Sequence, residues 1–273
     1  MRKIVFMLLT TMLIASNSCV GKSDSGIIVC LKTTSGDIKL RLYPETIKHR
    51  ENFIKLVNSG FYNGVLFHRV IANFMIQCGD PESKTAKAGV SLGSGDVGYT
   101  IPAEFVYPKY YHKRGALAAA RESDSINPKK ASSGCQFYIV QGKVFNDTQL
   151  DSIETKRKQK LEEKLFQEIA NTKQPEIKRY RQERSQPKLD ALSDSILTSV
   201  RISLKNHPVY KFTAQQRVDY KTLGGTPHLD GDYTVFGEVV EGMDVVDKIS
   251  RIRTDSNDRP VEDIKVITAN IEK

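Results

Sequence analysis

The chain has no tryptophan, and among its 273 residues there are only four cysteines and five histidines. No two cysteines stand in C-x-x-C or another zinc-ligand spacing, and no H-x-x-x-H or mixed Cys/His pattern occurs. A zinc knuckle, a dithiol redox motif and a histidine-based metal centre therefore have nothing to be built from, and no metal or cofactor is expected. Long hydrophobic runs are also lacking. The apolar stretch from Ile4 to Ile14 is too short to cross a bilayer as a stable helix. No internal repeat appears.

What is present is ordinary for a soluble fold: 39% hydrophobic residues, enough to bury a real core. The formal charge of +9 is unevenly placed. Residues 148–222 hold sixteen lysines and arginines against ten acids, and Arg2 and Lys3 sit at the extreme N-terminus. The remaining body is close to neutral. The basic character thus belongs to one internal segment, whose partners could be acidic polypeptide or an anionic surface.

The N-terminus reads as a processing signal: Arg2-Lys3, then an apolar core, then Ser16-Asn17-Ser18 before Cys19. Small residues ahead of a cysteine resemble a bacterial lipoprotein cleavage site. Residues 1–18 are expected to be a signal peptide, Cys19 the lipidated residue, and 19–25 a short polar tether. This would place the protein in a bacterial cell envelope, membrane-anchored through Cys19 and facing the periplasm or cell surface. Ordinary secretory cleavage beside an incidental cysteine is the alternative. Of the other cysteines, Cys78 and Cys135 could pair after export, and buried free thiols are the simpler reading.

Alternating β-rich runs from Ile27 to Thr33 and Asp37 to Tyr43, split by Thr34-Ser35-Gly36, predict a hairpin. Pro44 is expected to open a helix with Ile47, Phe53, Ile54 and Val57 on its apolar face, stopping near Gly60. Residues 81–100 read as loops. Gly115 to Ala120, Gln136 to Val140, Tyr233 to Val240 and Ile264 to Ile271 read as strands, and Met243 to Ile249 as a helix. Between them, Leu150, Ile153, Leu161, Leu165 and Ile169, and then Leu189, Leu192, Ile196, Val200 and Leu204, recur at helical spacing. Thr148 and Asp151 suggest a capping box. Pro175 and Pro187 should start, stop or kink helices. A helical hairpin with a shorter helix after Thr213, ending near Gly224-Gly225, is expected for 148–222, inserted between body segments 26–147 and 223–273.

The densest chemical signal is Phe67-His68-Arg69-Val70-Ile71-Ala72-Asn73-Phe74-Met75-Ile76-Gln77-Cys78-Gly79-Asp80. An arginine in such a run needs a partner or a task, because guanidinium groups are almost never fully buried alone. Alternation would turn His68 to the opposite face from Arg69, so His68 reads as structural. With Gly115 to Arg121, Ser133 to Val140 and His228 to Gly237 following in order, the chain resembles the cyclophilin-type peptidyl-prolyl cis-trans isomerases. The resemblance implies a mainly β fold: a closed eight-stranded antiparallel barrel capped by two helices, here carrying the helical insertion. It implies proline-containing unfolded or extended polypeptides as partners, no nucleic acid and no cofactor. Arg69 takes the family's catalytic position. Phe74, Met75, Tyr138 and Leu229 take the apolar proline pocket, Gln77 and Gln136 the polar rim, and Ala120 and Arg121 the strand edge that holds the substrate backbone.

The chemistry suits those residue types. Twisting a peptide bond costs ~18–20 kcal/mol through lost resonance, and no bond is broken, so no nucleophile or metal is needed. A guanidinium donating to the prolyl nitrogen as it becomes pyramidal would favour the twisted amide over the planar one. The sequence also departs from the family pattern. His228 stands where many eukaryotic members carry tryptophan, which implies weak cyclosporin binding. Tyr233 and Arg121 replace an often-found histidine and asparagine, and are expected to keep polar donors near the site. The loop Glu122 to Ser132 reads as long. The expected function is prolyl isomerisation during folding of exported proteins, and the alternative is a holding chaperone that uses the basic insertion.

Overall fold

The computed structural model describes residues 26–206 and 211–272. The expected signal peptide, the expected lipidation at Cys19 and the expected tether fall on residues outside those described. Strands β1 (Ile28–Thr33) and β2 (Gly36–Leu42) form the expected hairpin. In it Val29, Leu31, Ile38, Leu40 and Leu42 are buried at every second position, the pattern of a half-buried sheet. Further strands are β3 (Phe67–Ile71), β4 (Met75–Cys78), β5 (Thr100–Ile101), β6 (Ala116–Ala119), β7 (Ser132–Ser133), β8 (Phe137–Val140), β9 (Val235–Glu241) and β10 (Val266–Ile271). Eight of them make one antiparallel sheet in the order β10-β1-β2-β9-β6-β8-β4-β3, and β5 pairs with β7 alone.

The sheet curls but stays open, so the expected closed barrel is corrected. Its edges, β3 and β10, meet only near the bridge Leu66–Lys265, flanked by Phe67 N→Ile264 O at 2.9 Å and Val266 N→Val65 O at 2.9 Å. Further along, the amide of Val70 donates to Asp258 O at 2.8 Å. The edge of β3 is thus taken by the loop before β10 rather than by β10 itself, and this leaves no unpaired ladder there.

Two helices cover the curled sheet, α1 (Ile47–Asn58) and a helix at Met243–Ser250. Phe53, Leu56, Val57, Val246 and Ile249 join the main core with Leu31, Ile76, Phe137 and Phe236. Pro44 does not open α1, which starts three residues later, and Ile47 is half exposed while His49 is buried in its stead. The reason is tertiary. Thr46 gives no side-chain cap, and the carboxylate of Glu104 caps the helix instead. It accepts the amides of Lys48 and His49 at 3.0 Å each and His49 Nδ1–H at 2.7 Å. His49 Nε2 lies 2.9 Å from Ser132 Oγ, which ties α1 to β7.

The insertion is helical as expected: α2 (Asp147–Thr172), α3 (Gln174–Gln182), α4 (Gln186–Asn206) and α5 (Ala214–Thr222), followed by α6, the capping helix at Met243–Ser250. Pro175 and Pro187 fall in the first turns of α3 and α4, where a missing N–H is harmless. The capping box is Asn146 with Gln149, not Thr148 with Asp151, because the helix starts two residues earlier and Gln149 is the side chain that returns to the cap amide. Ala170, Ile196, Val200 and Leu204 make a separate small core between α2 and α4. Many of the basic side chains pair with acids of the insertion or its entry, as in Lys173–Glu176, Lys188–Glu183 and Arg217–Asp151.

Candidate active site

Alternation along β4, β6 and β8 sorts side chains to two faces. Ile76, Cys78, Leu117, Ala119, Phe137 and Ile139 point into the core. Met75, Ala118, Tyr138 and Val140 point to the other face, where Phe74, Ala120, Leu229 and Tyr233 pack against them. On that second face lies a groove of about 870 Å³. Arg69, Phe74, Met75, Gln77, Ala120, Arg121, Gln136, Tyr138, Leu229 and Tyr233 all line it, so ten of the eleven residues expected at the site converge there. His228 does not line it. It is exposed, with its ring 5.7 Å from that of Phe74.

Arg69 projects from β3 with its side chain 42% exposed. Its Nε is 3.6 Å from Asp258 and its Nη1 donates to Gln77 Oε1 at 3.4 Å. Gln77 donates in turn to Gln136 Oε1 at 3.0 Å. Gln136 spends its amide protons on the carbonyls of Gly93 and Gly95, at 2.9 and 2.8 Å. The same loop is gripped by the buried Asp80, which accepts the amides of Gly93, Gly95 and Glu82. Gln136 is therefore a brace between the loop and Gln77. Gly79, at φ +103°, must be glycine, since a Cβ there would lie 2.2 Å from Cys135 O.

Two readings of single residues change. His68 lines the same groove as Arg69 rather than the opposite face, because the β3–β4 register slips between Phe67 and Arg69 and alternation fails at the bulge. It is 3% exposed, and neither ring nitrogen has a hydrogen-bond partner. Burial holds its pKa down, to about 4. Arg121 is not a polar donor facing the groove. Its guanidinium is 3% exposed, lies 4.4 Å from the centre of the Tyr233 ring, and is bonded to Asp124 at 2.7 Å and to the carbonyls of Asp232 and Glu122 at 2.8 Å. Ala120 uses its own amide on Gln136 O and its carbonyl on Ser133 N. Cys78 and Cys135 are buried free thiols, as the simpler reading had it. Burial pushes the Cys135 thiol up to about 11.

Sequence reasoning missed the loop residues Leu92 to Asp96, which line the groove opposite β8. The Gly- and Ser-rich composition of 81–100 was the available signal, and it spoke only of loop. The model of the family "Cyclophilin type peptidyl-prolyl cis-trans isomerase/CLD" matches residues 28–187 and 203–271. The chain belongs to this family. As a cyclophilin-type isomerase it acts on proline-containing polypeptides. A Staphylococcus haemolyticus protein named as a candidate peptidyl-prolyl cis-trans isomerase is 27% identical over 91% of this chain and 93% of its own length. A Streptococcus pyogenes protein, named as a candidate bifunctional phosphatase/peptidyl-prolyl cis-trans isomerase, is 29% identical over 92% of this chain, which spans 40% of that protein's length. The solved structure of a Cryptosporidium parvum cyclophilin shares the fold at TM-score 0.52 and 19% identity, covering 90% of this chain and 98% of its own.

Proposed function

We propose that this cyclophilin accelerates X-Pro isomerisation during the folding of exported proteins, with Arg69 as the catalytic group. One observation carries the reading. The half-exposed guanidinium of Arg69 shares a groove with an apolar wall of Phe74, Met75, Tyr138 and Leu229. A proline ring seated on that wall leaves its nitrogen to the arginine. As the preceding carbonyl swings, the nitrogen gains a lone pair, and the guanidinium hydrogen bond strengthens only then. Asp258 and Gln77 hold the guanidinium from two sides, which reduces reorganisation during the swing. With both backbone groups of Ala120 spent within the fold, the edge offered to the peptide backbone begins at Arg121.

The test is Arg69→Ala, assayed on a prolyl tetrapeptide. Activity should fall at least about tenfold, equivalent to ~1.4 kcal/mol of transition-state stabilisation. The circular dichroism spectrum should be unchanged, since the side chain makes no core contact. Full activity in a folded Arg69→Ala protein would overturn the mechanism. The expected lipid anchor on Cys19 and an envelope location belong to this proposal. The holding-chaperone alternative is the weaker reading, because the family match and the named relatives support isomerisation.

A further inference from the structure

A buried hydrogen-bond relay runs from the wall of the groove into the inserted segment. Tyr138 Oη lies 2.9 Å from His112 Nε2. His112 Nδ1 lies 3.0 Å from Asp230 Oδ1, and the His112 backbone amide donates to that same oxygen at 2.8 Å. The hydroxyl of Tyr220, on α5, donates to Asp230 Oδ2 at 2.7 Å. His112 and Tyr220 are fully buried, and Tyr138 and Asp230 nearly so. A carboxylate only accepts, so in a neutral imidazole His112 Nδ1 carries the proton toward Asp230, and Nε2 is left to accept from Tyr138. Burial pushes both tyrosine hydroxyls well up, so both remain donors. The ring of His112 also stacks near that of Tyr138, 14° from parallel at 6.0 Å.

We infer that His112 is a positioning residue for the proline pocket, and that the insertion acts on the pocket through Tyr220 and Asp230. A tyrosine in an apolar wall is compatible with a proline ring only while its hydroxyl is turned away and paired. His112 supplies that pairing on the side remote from the groove. Asp230 fixes the imidazole tautomer, and it directly follows Leu229, another wall residue. Tyr220 sits in its own apolar cluster with Leu150 and Phe212, so α2 and α5 jointly anchor the outer end. The base of the insertion is pinned beside the relay: Gly225 bridges to both Lys113 and Lys143, and Thr226 N donates to His112 O at 2.8 Å. The insertion is thereby a built support of one pocket wall, although none of its residues lines the groove.

This inference rests on the reading of Phe74, Met75, Tyr138 and Leu229 as the proline pocket. The experiment measures kcat and KM for a prolyl tetrapeptide by NMR exchange in His112→Asn and Tyr220→Phe, each made both in the native chain and in a Tyr138→Phe background. His112→Asn should raise KM about fivefold with little change in kcat, and Tyr220→Phe should raise it about twofold. Both ratios should shrink toward one in the Tyr138→Phe background, where no hydroxyl remains to be placed. Equal ratios in the two backgrounds, or no KM change in either variant, would overturn the relay. Should His112→Asn fail to fold, the Tyr220→Phe pair decides alone, since it keeps the buried volume. Phe74→Ala separates the two levels. If it leaves KM unmoved, the pocket reading has failed; if it raises KM while the relay variants do not, only the relay has failed.

Discussion

Gln77 on β4 and Gln136, the residue just before the neighbouring β8, share a hydrogen bond of 3.0 Å, and that bond links Arg69, the proposed catalytic group, to the loop at Gly93 and Gly95. Arg69 leans on Gln77, Gln77 on Gln136, and Gln136 on the carbonyls of Gly93 and Gly95. The order matters because each amide has few groups to offer. Gln136 exhausts its amide protons on the loop, so its carbonyl faces Gln77, and Gln77 must in turn present its carbonyl to Arg69.

Gln136→Ala should therefore act at a distance from the peptide. It frees Gln77 and leaves two loop carbonyls without a donor. We expect kcat/KM to fall about tenfold, or ~1.4 kcal/mol, and stability to drop by about 1–3 kcal/mol. Steady-state kinetics and urea unfolding check both parts. Unaltered kinetics in a destabilised protein would reduce the brace to a purely structural role.

Glu104→Gln should destabilise the fold without touching the groove. Burial raises the Glu104 carboxyl, but bonds from His49 and from the amides of Lys48 and His49 outweigh it, so its pKa is lowered overall. The charged carboxylate both caps α1 and holds His49. Losing the charge should cost about 1–2 kcal/mol, the scale of a helix cap. A thermal melt shows it as a lower Tm, and kcat/KM for the prolyl peptide should move little at temperatures where the variant is folded.

Acid should weaken the fold in a window set by His68. Its folded pKa is held down to about 4 by burial, while an unfolded histidine titrates near 6.5. Below about 6.5 the unfolded chain therefore takes up a proton that the native site refuses. Stability falls with decreasing pH by up to about 1.4 kcal/mol per unit, and the loss levels off below the folded value. His49 is shifted the same way by burial and adds to the trend. Urea midpoints between pH 7.5 and 4.5 measure the slope, and His68→Gln should flatten it by up to one proton's worth. An unchanged slope would show that His68 protonates freely in the native groove.

Cys19→Ser tests the anchor. In a bacterial host the native chain should fractionate with membranes and incorporate labelled fatty acid, and the variant should do neither. Identical fractionation of the two would favour ordinary secretory cleavage.

The local parts of this protein were legible in its residues. Alternation in Ile28–Thr33 and Gly36–Leu42 gave the hairpin, helical spacing gave the α2–α4 pair, and the run from Phe67 to Asp80 pointed to the groove and its arginine. These signals are written in neighbouring residues, because backbone period and side-chain type act over a few positions. Alternation misled once, at His68, since a bulge changes the count without leaving a mark in the sequence.

The sequence by itself determined the longer strands and helices, the family and ten of the residues that meet in the groove, but not His68 or the loop Leu92 to Asp96. Tertiary structure alone decided what those residues do with their polar atoms. It turned Arg121 inward onto Tyr233, put a carboxylate 55 residues away on the start of α1, and joined His112 to Asp230 across 118 residues. It also left the sheet open, by giving the edge of β3 to the loop at Asp258. The reason is common to all four. Buried hydrogen-bonding groups must be paired, and the partner is whichever group the fold brings within about 3 Å, a choice no local pattern records.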